Sequence, residues 1–85
     1  MRIERSLTPG EISMENGTAF RQFFLDGVPV HKMDVNRVMG GDAGREIEAM
    51  RAAISSAIGV DITTDELSYF IKTRKIIKED SNGEI

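Results

Sequence analysis

Two dipeptides, Asn16-Gly17 and Asp26-Gly27, constrain the front half of this 85-residue chain more than any other feature. A two-residue hairpin loop holds both central residues at positive φ, which Asn, Asp and Gly adopt at least cost. Each pair here is flanked by residues that favour extended backbone. The prediction is an antiparallel meander with strands at residues 11–15, 18–25 and 28–33. Residues 2–7 read as a further short strand, set off by Thr8-Pro9-Gly10, in which Pro fixes φ and Gly accepts a turn.

Two-residue loops also predict a register, because residues equidistant from a turn lie opposite each other and share a face. Ile12, Met14, Ala19, Phe23, Leu25, Val28 and Val30 then fall on one side with Arg21 as the single charge, and this is the expected core face. The opposite side carries Phe20, Phe24, Pro29 and Met33 among Glu11, Ser13, Gln22 and His31. That face is too apolar for plain solvent exposure, and a one-residue shift of register would exchange the two.

The back half reads as helical. Met39-Gly40-Gly41-Asp42-Ala43-Gly44 is a connection in which three glycines weaken any helix by about 1 kcal/mol each relative to Ala. Asp42 is the expected N-cap of a helix over residues 43–58. Ile47, Met50, Ile54, Ala57 and Ile58 recur there at spacings of three and four, and Gly59 supplies the stop. Thr63-Thr64-Asp65-Glu66 matches a capping box, in which the Thr63 hydroxyl and the Glu66 carboxylate each accept from the other's amide. A second helix is expected over residues 63–78, with Leu67, Phe70, Ile71 and Ile77 on its apolar side and cations late, where they suit the macrodipole. The expectation is one domain over residues 1–78 and a frayed tail at 79–85.

Composition bounds the function. The chain has no Cys, so it offers no disulfide framework, thiolate metal site or thiol nucleophile. No apolar run approaches the ~20 residues that span a bilayer, and the N-terminus lacks the apolar stretch of a signal peptide. The expectation is a soluble cytoplasmic protein without a membrane partner. A net charge of −3 is too mild for a dedicated nucleic-acid mimic and argues against broad binding to nucleic acid. The one basic cluster is Lys72, Arg74, Lys75 and Lys78.

No catalytic, metal or cofactor constellation emerges. His31 is the only imidazole, and no Ser or Cys is placed to be activated by it. Asp61, Asp65 and Glu66 resemble the start of a calcium loop but lack its bend glycine and distant Glu, and helix capping accounts for Asp65 and Glu66. The stretch from Gly40 to Arg45 precedes a helix N-terminus, where an anion can sit, yet it matches neither phosphate-binding fingerprint and Asp42 brings a negative charge to the same amides. The two helices around Gly59 invite comparison with a helix-turn-helix. The link to Thr63 is longer than that motif's turn, and Asp65 and Glu66 stand where recognition residues approach phosphate.

The sequence therefore predicts an α+β domain, a meander of three or four antiparallel strands followed by two helices packed on the sheet. The functional expectation is a non-enzymatic adaptor or inhibitor without cofactor, of the kind common among phage and mobile-element proteins, that occupies a surface of a larger protein. Phe20 and Phe24 are the expected anchors, with Met33 beside them and Gln22, His31 and Arg21 setting orientation. A homodimer through the same face has the same signature. The alternative is a small nucleic-acid-binding regulator that contacts the backbone through Lys72, Arg74, Lys75 and Lys78 on the 63–78 helix.

Overall fold

A computed structural model describes residues 2–79 of the chain. Its sheet has four antiparallel strands in the order β3-β2-β1-β4: β1 at Arg2–Glu15, β2 at Thr18–Leu25, β3 at Val28–Asp34 and β4 at Lys75–Glu79. Both predicted hairpin loops form, with Asn16 and Gly17 at φ 52° and 80° and Asp26 and Gly27 at φ 50° and 82°. Positive φ at both central residues is what a tight loop between right-twisting strands requires. Two helices, α1 at Ala43–Ile58 and α2 at Thr64–Thr73, pack on one face of the sheet.

Three expectations about strand path, helix end and sheet faces are corrected. Thr8-Pro9-Gly10 is not a turn between two strands: β1 runs through it, and the register with β2 shifts between Pro9 and Ile12. A bulge absorbs the proline without breaking the strand. Second, the helix from Thr63 stops at Thr73, because Arg74 takes the left-handed conformation (φ 63°) and its amide donates to the Phe70 carbonyl at 2.8 Å. A non-glycine residue there costs about 1 kcal/mol. The stop frees Lys75–Glu79 to pair with Arg2–Ser6 of β1. The fourth strand thus comes from the end of the chain, and Glu79, expected in the tail, closes it opposite Arg2. The rest of the expected tail, residues 80–85, lies outside the described residues.

The third correction concerns faces. Beyond the Asp26-Gly27 loop, Leu25 opposes Val28 and Phe24 opposes Pro29, as expected, but Phe23 then opposes His31 rather than Val30. Val30 is an extra residue in β3, and every later side chain on that strand changes sides. His31 and Met33 therefore lie on the helix side, paired with Phe23 and Arg21. Lys32 takes the open side, where its Nζ stands 5.4 Å from the Phe20 ring centroid.

The core is built from Ile3, Leu7, Phe23 and Leu25 of the sheet, Met50 and Ile54 of α1, Ile62 of the link, Leu67 and Phe70 of α2, and Ile76 of β4. Met50 and Ile54 belong to the expected α1 stripe, and the Gly59 stop forms at φ 79° with its amide on the Ser55 carbonyl. The capping box also forms: the Glu66 amide donates to Thr63 Oγ1 at 3.1 Å and the Thr63 amide to Glu66 Oε1 at 2.9 Å. Asp42 departs from expectation, since its side chain makes no capping bond to α1 and instead faces Arg45 at 3.7 Å. Between β3 and α1 the chain makes one helical turn, Val35–Arg37, capped by Asp34, and a wider turn at Val38–Asp42 that relies on Gly41 at φ 96°.

The molecule measures 50 × 25 × 19 Å along its principal axes. Of the expected core face, only Phe23 and Leu25 are buried, while Ile12 and Met14 on the outer half of the first hairpin are 50% and 67% exposed.

Candidate docking groove

The helix side of the sheet carries a groove of about 530 Å³ where the first hairpin leaves the cover of the helices. Pro9, Phe23, Arg21 and Met33 form its sheet wall, and Ile47 of α1 and Ile71 of α2 form the opposite wall. The strand pairings explain the sheet wall: Pro9 sits opposite Phe23, and Ile12, Arg21 and Met33 form one row across three strands. Met33 is in that row only because of the extra residue at Val30. Ile12 and Met14 continue the same face outward into solvent.

Lys72, near the end of α2, and Arg74, at the helix stop, close the groove. Arg21 is held in place by the β1 bulge, whose Gly10 carbonyl accepts from its Nη1 at 2.7 Å. Among the described residues no carboxylate lines the groove and none of these three cations is ion-paired. An apolar cleft with unpaired charges of one sign at its rim has the composition of a recognition surface.

The six residues expected to meet a partner divide between two surfaces. Arg21, His31 and Met33 are on the helix side, and Phe20, Gln22 and Phe24 are on the open side; all six are half-buried. On the open side Gln22 Nε2 donates to the Phe23 and His31 carbonyls, each at 3.0 Å, and the Phe24 ring lies against Gly10. These contacts tie the open-side residues into the sheet itself. His31 is held below its ordinary pKa by burial, opposed by the charge of Glu46, and its Nε2 is buried without a hydrogen-bond partner. Glu46 is itself buried, accepting from the Asp34 amide at 2.6 Å and facing Arg37 Nη1 at 3.5 Å. Desolvation favours the neutral imidazole.

The four expected nucleic-acid contacts do not share a helix face. Lys72 is on α2, Arg74 is at its stop, and Lys75 and Lys78 are on β4, where an odd number of steps along a strand puts them on opposite faces. Lys78 is engaged at 2.8 Å by Glu66, whose carboxyl this bond holds below the usual range, with the Thr63 amide adding to the effect. The link between the helices is pinned as well: the Ile62 amide donates to Ser55 Oγ and its carbonyl accepts from Arg51 Nη1, both at 3.1 Å.

Among the described residues no group of three or more His, Asp or Glu side chains is placed to hold a metal ion. Asp61 points into solvent, and Glu66 is committed to Thr63 and Lys78. No described helix is long and apolar enough to cross a membrane. What sequence reasoning missed was Ile47 and Ile71, which their stripes assigned to the core, and Ile12 and Met14, assigned to it by the sheet alternation. Their exposure follows from how far the helices reach along the sheet, which periodicity does not encode. No family model, curated protein or solved structure matches the chain.

Proposed function

We propose that this protein is a small non-enzymatic binding module, an adaptor or inhibitor of a larger protein, and that it docks through the groove and the adjoining Ile12–Met14 face. The observation that carries the reading is the continuity of this surface. The helix-side face of the first hairpin runs from the half-buried Met33 past Arg21 to Ile12 and on to Met14, and these last two are 50% and 67% exposed. Apolar side chains clustered on one rigid face and ringed by polar groups are the usual anchors of a protein interface. A cytoplasmic setting, expected from the absence of Cys, belongs to the same proposal.

The nucleic-acid reading rested on a continuous basic helix. Its cations are divided between a helix end and a strand, and Lys78 is neutralised by Glu66. It therefore becomes an outcome of the test.

The test is affinity purification from native extract, with and without nuclease treatment, using the wild-type chain and an Ile12→Ser/Met14→Ser variant. Both substituted side chains lie outside the core, so the variant keeps the wild-type unfolding midpoint. The expected result is a protein recovered by the wild type and lost with the variant. Equal recovery by both, or recovery that nuclease abolishes, overturns the proposal.

A further inference from the structure

The pairing of charges across the molecule says more about the occupant of this groove. The chain has eleven Lys and Arg residues, and among the described residues seven of them stand within 4.0 Å of a carboxylate oxygen. The four that do not are Arg21, Lys72, Arg74 and Lys75, and three of these line the groove. In a chain of net charge −3, the free positive charge is therefore concentrated where the carboxylates are missing. Like charges gathered on one surface repel one another, and the arrangement is relieved when an anion occupies the site.

We infer that the groove binds an acidic amphipathic helix of a partner protein, an inference that rests on the docking role proposed above. The two walls supply the apolar half of the match. Met33, Ile47 and Ile71 are half-buried aliphatic side chains, and Ile12 and Met14 extend them. A helix laid in such a cleft presents apolar residues at three- and four-residue spacings to the walls and its polar flanks to the rim. Arg21, fixed through one nitrogen by Gly10, keeps its remaining N–H groups for a carboxylate, and a guanidinium pairs with that group in a forked geometry. Lys72 and Arg74 meet carboxylates on the other flank. Phe23, the one aromatic side chain in the lining, is only 4% exposed, so the groove offers aliphatic anchors rather than an aromatic face for bases to stack on, and the cations here are assigned to carboxylates rather than to nucleic-acid phosphates.

The experiment uses the full chain and three short synthetic helices that share the same leucine stripe and carry Glu, Gln or Lys at all other positions. Binding is followed by NMR chemical-shift changes. The Glu peptide is expected to bind about tenfold more tightly than the Gln peptide, to shift Ile12, Met14, Met33, Ile47 and Ile71, and to weaken between about 50 and 500 mM salt. The Lys peptide is expected not to bind. An Arg21→Gln/Lys72→Gln/Arg74→Gln variant is expected to bind the Glu and Gln peptides equally. Equal binding of Glu and Gln peptides by the wild type overturns the acidic assignment and leaves the docking role standing, whereas binding of none of the three overturns both. Displacement of the Glu peptide by a single-stranded oligonucleotide at equal concentration overturns the assignment in favour of nucleic acid.

Discussion

Replacing Gly10 with Ala tests the path of β1 at its least regular point. A Cβ built on Gly10 comes within 2.8 Å of Phe24 Cε1 and 3.2 Å of the Gln22 carbonyl oxygen. The ring can swing only by leaving its place on the sheet, and the carbonyl is fixed by the strand. Overpacking of this kind costs about 1–3 kcal/mol. The backbone of Gly10 is not left-handed, so Ala recovers roughly 0.4–1 kcal/mol through the unfolded chain. The net loss is on the order of 1–2 kcal/mol, and a domain of this size shifts by about 4–8 °C for each kcal/mol. Thermal unfolding followed by circular dichroism reads this directly. A second substitution, Phe24→Leu, shortens the side chain facing the new methyl, so the double variant is expected to recover about 1 kcal/mol relative to the sum of the singles. In a chain that turned at Thr8-Pro9-Gly10, Phe24 would be remote and no such coupling would exist. An unchanged midpoint for Gly10→Ala, or strictly additive singles, refutes the bulged continuous strand.

Glu46→Ala leaves the Asp34 amide without its acceptor in a half-buried site and is expected to cost about 1–3 kcal/mol in urea unfolding. Glu46→Gln keeps an oxygen for that amide and is expected to lose less, and equal losses contradict the assignment. The acid limb of the stability curve tests the tie between α2 and β4. The Lys78 bond holds the Glu66 carboxyl below its usual value of 4.5, so the folded state binds fewer protons than the unfolded one in that window. The resulting stability is complete above about pH 4.5 and is lost as pH falls through the folded-state value. Lys78→Met is expected to flatten this dependence between about pH 3 and pH 5, and parallel curves for the two proteins contradict it.

The parts of the fold written in local chemistry were legible in the residues. Asn16-Gly17, Asp26-Gly27, Gly59 and the Thr63–Glu66 box each specify a backbone conformation within a few residues, and each is found where its chemistry places it. The misreadings share a different cause. At Val30, Arg74 and the Pro9–Ile12 bulge, the decisive energy comes from pairing or packing with distant segments. Arg74 adopts a conformation that it disfavours, and five residues then complete the sheet along β1. Val30 adds one residue to β3, which is half-buried against the core while Met33 turns toward Ile47 and Ile71. The Lys75-Ile76-Ile77-Lys78 run is short enough to suit a helix end or a strand, and only β1 decides between them. The groove was hidden for the same reason. Phe23, Ile47 and Ile71 were counted into the core, Met33 onto the opposite face of the sheet, and Lys72 and Arg74 into a helix that ends earlier.

The docking surface depends throughout on Met33 facing the helices, so the most direct measurement is a methyl NOE spectrum of the protein labelled at Met and Ile. The extra residue at Val30 predicts cross-peaks from the Met33 methyl to Ile47 and Ile71 and from the Lys32 side chain to the Phe20 ring. Cross-peaks from Met33 to the Phe20 ring, with none to either isoleucine, would return the strand to a regular register and remove the groove.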